Sequence, residues 1–160
     1  MRRRSILSRL SREAGQSLIE TALTLPILLL LAFNAINFGY FFFVALNLTS
    51  APRSGVQYAI LGPSTPQQLQ YPPPGPANSV GSVSYLTYQD MRGVLPSSSS
   101  ALVQVCSSQV GIVNPGTVNQ KSACTTFGTG TAPPGPQTDP EAPAFLLSKV
   151  DVVYTLQPLI

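Results

Sequence analysis

Hydrophobic and polar residues are distributed very unevenly along this chain. From Thr21 to Leu48 it reads TALTLPILLLLAFNAINFGYFFFVALNL, 28 residues, and no charge occurs between Glu20 and Arg53. Such a run leaves no polar face for water. As a helix it is about 42 Å long at ~1.5 Å per residue, against ~30 Å for the hydrocarbon core of a bilayer. The pattern predicts one membrane-spanning helix, since a buried core helix of this kind needs a much larger protein around it. A cleaved secretory signal is the rival reading. Its apolar region is usually about 7–15 residues, followed by small residues at the cut. This run is about twice as long, and the one candidate cut, after Leu48-Thr49-Ser50-Ala51, leaves Pro52 just beyond it. Pro26 lies inside the run. It removes one backbone hydrogen bond and crowds the carbonyl of Ala22, which predicts a bend. Asn34, Asn37 and Gly39 have two open readings: contact points for another helix, or polar and small residues merely tolerated.

Past Leu61 the pattern breaks. Gly62 to Ser82, GPSTPQQLQYPPPGPANSVGS, is rich in Pro, Gly, Ser and Gln and reads as an extended, polyproline-like linker over residues 61–82. A proline-rich ligand for an SH3-like domain is the sharper alternative, but such partners are scarce outside the cytoplasm. Val83 to Leu95 places Tyr85, Leu86, Met91, Val94 and Leu95 near helical spacing and predicts a short helix ending at Pro96. Ser97 to Ser100 is a loop. ALVQVCS, from Ala101, alternates and is β-branched, hence a strand; QVGIVN is a second candidate, followed by a Pro115-Gly116 turn. GTGTAPPGPQTDPEAPA, Gly128 to Ala144, reads as a flexible loop. Phe145 to Gln157, with Val150, Val152, Tyr154 and Leu156 alternating, reads as the best strand. The expected fold class is α+β: a long N-terminal transmembrane helix, then a small head, residues 83–160, with a short helix and a two- to four-stranded antiparallel sheet.

Charge changes the picture at one end. The net charge is +3, but Arg2, Arg3, Arg4, Arg9 and Arg12 supply five of nine basic residues. From Gln16 onward four basic residues face five acids, a formal charge of −1. Nucleic acid therefore has only the short N-terminal arm to bind, and is not an expected partner. Arginines flanking an apolar run instead hold that end in the cytoplasm and predict export of everything after Arg53. There is no histidine, and Cys106 and Cys124 are the only cysteines. No His- or Cys-rich metal site and no Ser-His-Asp or Cys-His arrangement is expected, and no cofactor. Exported chains sit in oxidising surroundings and this head is small for its core. A Cys106–Cys124 disulfide worth about 3 kcal/mol fits both facts; two free buried thiols are the alternative. Asp139 with Glu141, and Asp90 with Asp151, are formal acid pairs, but solvated charges are the simpler reading.

Glu20 sits at the lip of the apolar run, five residues after Gly15 and behind a basic leader. That combination resembles the processing signal of type IV pilin-like proteins, in which a prepilin peptidase cuts after the glycine. Here the cut falls between Gly15 and Gln16, removing residues 1–15. The wider segment is similar to the TadE-like pseudopilins of tight-adherence (Tad) systems. The matching positions are Glu20, Leu25-Pro26, Phe38-Gly39 and the Arg53-Ser54-Gly55-Val56-Gln57-Tyr58-Ala59 stretch; VDVVYTLQPLI at the end also looks like the family's late strand. Asn37 and Tyr40 stand where the family often carries an acid and an arginine. Pro52 stands where a small helical residue is usual, which leaves helix continuity past Ser50 open. The resemblance implies a pilus-assembly subunit, not an enzyme, with residues 16–60 as its transmembrane and assembly helix. Its implied partners are the prepilin peptidase, other pilin or pseudopilin subunits, the inner-membrane assembly platform and membrane lipid. Its implied location is the bacterial inner membrane, single-pass, head exported. Two alternatives stand beside it: an unprocessed single-span anchor displaying a small adhesive head, and an anchored subunit of a periplasmic enzyme.

Overall fold

The computed structural model describes residues 4–61, 71–95 and 101–158, with side chains from Gln16 onward. The first part of the linker, Gly62–Gln70, the expected helix stop at Pro96, the Ser97–Ser100 loop and the terminal Ile160 lie outside the described residues. A long helix, α1, runs Arg4–Leu61. Two compact units divide between Phe41 and Phe42, the second being Phe42–Gln157.

In the first unit the helix is exposed on all sides from Gln16 to Ile36. Its polar side chains fold back on their own backbone. Thr21 Oγ1 donates to Ser17 O at 2.9 Å, Thr24 Oγ1 to Glu20 O at 3.0 Å, and Asn34 Nδ2 to Leu30 O at 2.8 Å. Each satisfies its donor without leaving the helix, which lets a polar residue sit among leucines. The helix continues through Pro26. Among the described residues this is the one helix long and apolar enough to cross a membrane.

In the second unit burial becomes one-sided. Val44, Ala51 and Ala59 are buried, with Leu48 and Gly55 on the same stripe. The helix does not stop near Pro52. Asn47 Nδ2 donates to Phe43 O, Thr49 Oγ1 to Leu46 O and Ser50 Oγ to Asn47 O just before the proline. Packing of the small-residue stripe outweighs the cost of a mid-helix proline, about 3 kcal/mol.

The described part of the linker, from Tyr71, is docked rather than free. Val83 N donates to Pro73 O at 3.0 Å and Ser84 N to Pro74 O at 3.1 Å. A short helix, α2, follows at Val83–Asp90, capped by Ser82, whose Oγ accepts from Tyr85 N. It ends earlier than the sequence pattern predicts, because Met91, Arg92 and Val94 turn tightly with amides bonding three residues back. Its inward face also differs: Val83, Ser84, Thr87 and Tyr88 are buried, while Tyr85 and Leu86 are half-buried.

Among the described residues five strands follow: β1 Ala101–Cys106, β2 Ile112–Val113, β3 Lys121–Ser122, β4 Cys124–Phe127 and β5 Lys149–Tyr154. The main sheet is antiparallel in the order β4-β1-β5. The centre is therefore β1, all six residues buried, and the strand that looked best in sequence is an edge. QVGIVN supplies only the two-residue β2, which pairs with β3 apart from the main sheet. Ala101, Val103 and Val105 point to one face and join Val150, Tyr88, Met91, Ala51 and Ala59 in the core. Leu102, Gln104 and Cys106 point to the other face, and they too are buried. The Gly128–Ala144 stretch covers them. Gly130 abuts Leu102, Lys149 Nζ donates to Pro134 O at 3.4 Å, Thr138 bridges to Lys121, and Gln120 Nε2 donates to Pro143 O at 3.2 Å. This loop is a lid over the second face of the sheet.

Candidate functional site

The sequence points to two groups of residues, and they do different things. At the start of α1, Glu20 is exposed, and among the described residues no hydrogen bond or ion pair reaches its carboxylate. Leu18, Ile19 and Leu23 around it are likewise exposed apolar side chains. Helix α1 passes through Gly15 and Gln16 without interruption. Further along, Phe38 is exposed and a Cβ at Gly39 would meet nothing within 4 Å. Glu20, Pro26, Phe38 and Gly39 therefore present a chemically simple surface: one acid, then a cylinder of hydrocarbon with an open notch at Gly39.

The Arg53–Ala59 stretch belongs to the second unit, where two of its marked residues are packing devices. A Cβ at Gly55 would collide with Thr87 Oγ1 and lie 3.2 Å from Val150 Cγ1. Glycine is needed here because α1 approaches both α2 and β5 at one point. Tyr58 donates its hydroxyl proton to Gly81 O at 3.1 Å, tying α1 to the turn before α2. Gly81 has φ +92°, which suits glycine. Arg53 differs from both. It is exposed, and it borders an open concavity of about 370 Å³ with Pro52, Val56, Gln57 and Val150.

Cys106 and Cys124 are bonded, with Cα atoms 4.0 Å apart, as directly opposed partners on β1 and β4. Of the four acids in the two formal pairs, Asp139 and Asp151 use their carboxylates in local contacts. Asp139 Oδ1 accepts from Glu141 N at 2.8 Å within a turn, and Asp151 pairs with Lys149 at 2.6 Å. Among the described residues no group of three or more His, Cys, Asp or Glu is placed to hold a metal.

One residue that the sequence reading did not single out organises the head. The Tyr88 hydroxyl lies 2.8 Å from Ala101 O and 3.0 Å from Phe127 O, donating its proton at the end of the β1–β4 ladder. Burial pushes its pKa above the ordinary tyrosine value, and a backbone hydrogen bond with Val103 partly offsets this. A tyrosine one position past two polar inward residues carried no sequence signal of such a clamp.

Compared with known families, residues 15–57 match the model described as TadE-like protein. The match takes in Gly15, Gln16, Glu20, Pro26, Phe38, Gly39, Arg53 and Gly55, and Tyr58 lies just past it. No curated protein and no solved structure matches the chain.

Proposed function

We propose, starting from the TadE-like segment at residues 15–57, that this chain is a pseudopilin-type structural subunit for assembling a tight-adherence pilus or secretion apparatus. The carrying observation is the coincidence of that match with a helix long and apolar enough to span a bilayer. Five arginines before Gly15 hold the N-terminus in the cytoplasm, and the head is exported across the inner membrane. A prepilin peptidase removes residues 1–15, leaving residues 16–60 as the assembly helix. Residues 61–82 connect that helix to the head, residues 83–160.

Cleavage gives Gln16 a free α-amino group, mostly protonated near neutral pH. In a bundle of parallel copies that ammonium approaches Glu20 of a neighbour. In a low-dielectric layer the pairing offsets the cost of the buried acid and favours one axial stagger. The helix itself leaves Glu20 exposed, which supports a partner outside the chain. The other partners in this reading are further pilin-like subunits and the inner-membrane assembly platform.

N-terminal sequencing and intact mass of protein from native membranes test the processing step. A chain beginning at Gln16 is expected; one still beginning at Met1 makes the protein an unprocessed anchor. Glu20→Ala is expected to be cleaved normally after Gly15 yet incorporated poorly into the assembly. Normal incorporation of that variant would remove the pairing role from Glu20.

A further inference from the structure

Two exposed features of the head are complementary, and they share no residue. The concavity is walled by Pro52, Val56 and Val150 and rimmed by Arg53 and Gln57. No ion pair holds Arg53 among the described residues, since the salt bridge found there joins Lys149 to Asp151. Elsewhere, Glu141 lies near the end of the loop that covers the second sheet face, and Phe145 follows directly after it. Phe145 is 60% exposed, and Glu141 is exposed with no ion pair among the described residues. Acid and phenyl ring stand four residues apart, as the cation and the apolar walls stand together in the concavity.

The strand register shows which sheet face α1 covers and which the loop crosses. Gly55 of α1 meets Val150, which shares a face with its register partner Val105, so α1 covers that face. Gly130 meets Leu102 and Pro134 O accepts from Lys149, so the loop crosses the other. A surface that fits a different surface of the same molecule makes a heterologous contact. When its rotation does not close, repetition builds an open filament rather than a dimer. About 370 Å³ lies within the range of small binding pockets, ~300–1,000 Å³, and is ample for one aromatic side chain.

We propose that Phe145 and Glu141 of one copy dock into the Pro52–Arg53–Val56–Gln57–Val150 concavity of the next. The ring packs on Pro52, Val56 and Val150, and the carboxylate meets the Arg53 guanidinium. This contact rests on the assembly reading above and adds to it a head-to-head surface distinct from the membrane helix.

The test uses the full chain in its native membranes. A photo-crosslinking phenylalanine analogue at Phe145 is expected to give bands at multiples of the single-chain mass, and peptide mapping places the link on residues 52–57. The reciprocal probe at Gln57 is expected to link to residues 139–145. Arg53→Glu and Glu141→Arg are each expected to lower the crosslinked yield about tenfold, and the double charge swap to restore it. Links only to lipid, only to another protein, or to a second copy away from both sites overturn the proposal; so do single variants that crosslink normally. The N-terminus of the same samples separates the two ideas. Mature chains beginning at Gln16 without the crosslink defeat this contact alone. Crosslinked chains still beginning at Met1 defeat the pilin reading and leave a self-associating anchor.

Discussion

At Gly55 the backbone of α1 comes close enough to Thr87 and Val150 that one methyl group has no room. Gly55→Ala adds that methyl. Alanine favours the helix by about 1 kcal/mol, but overpacking a rigid contact costs about 1–3 kcal/mol, so net destabilisation is expected. Thr87→Ala removes the obstructing hydroxyl and should recover part of the loss, giving non-additive values in denaturant titrations of the four variants. Tyr88 invites a second test. Tyr88→Phe leaves the Ala101 and Phe127 carbonyls without that donor at a cost of about 1–3 kcal/mol. Its folded pKa is raised above the unfolded value, which is about 10. The phenol's contribution is therefore complete below about pH 10 and declines as pH climbs through the folded value. The stability gap between wild type and Tyr88→Phe, followed by thermal unfolding from pH 8 upward, should stay flat and then shrink. A gap that widens would contradict this sign.

At the level of elements, the disulfide matters most to β4. This four-residue strand lies at the sheet edge, opposed to β1, and the Cys106–Cys124 bond clamps its first residue. Closing a loop with a sequence separation of 18 is worth about 3 kcal/mol in the chain-entropy model. Replacing both cysteines with serine, or adding reductant, should lower unfolding stability by about that amount; a loss well under 1 kcal/mol would mean that the backbone ladder already holds β4. The elements also differ in how readable they were. β1 and β5 alternate in β-branched residues and were visible from pattern alone. β4, Cys-Thr-Thr-Phe, is too short and polar to stand out, and β2 and β3 contribute two residues each. The Pro- and Gly-rich stretch after Phe127 looked like free loop because it forms no ladder. Its backbone is instead held by scattered side-chain and carbonyl contacts, which leave no periodicity to read.

For the whole molecule, the division after Phe41 makes a prediction. Residues 42–157 form a compact unit with the buried core. A fragment of residues 42–160 should fold, oxidise its cysteine pair and show protected β1 amides in hydrogen exchange. Starting the fragment after Leu61 should abolish that protection, because Ala51, Gly55 and Ala59 are then missing from the core. The sequence by itself determined the apolar cylinder, the acid at its lip, the basic leader and the glycine before it. These are one-dimensional properties: length against bilayer thickness, and spacing along one helix. It also determined the α+β class and, with only two thiols, the one disulfide that could form; the structure decided that it does. The tertiary structure alone decided that α1 continues past Pro52 into the head, that β1 is central and β5 an edge, and that a proline-rich loop lids the second face. It alone divided the Arg53–Ala59 stretch into inward packing residues and an outward arginine. The physical reason is that each of those outcomes turns on contacts between residues tens of positions apart, where burial outweighs local propensity and no local pattern records the partner.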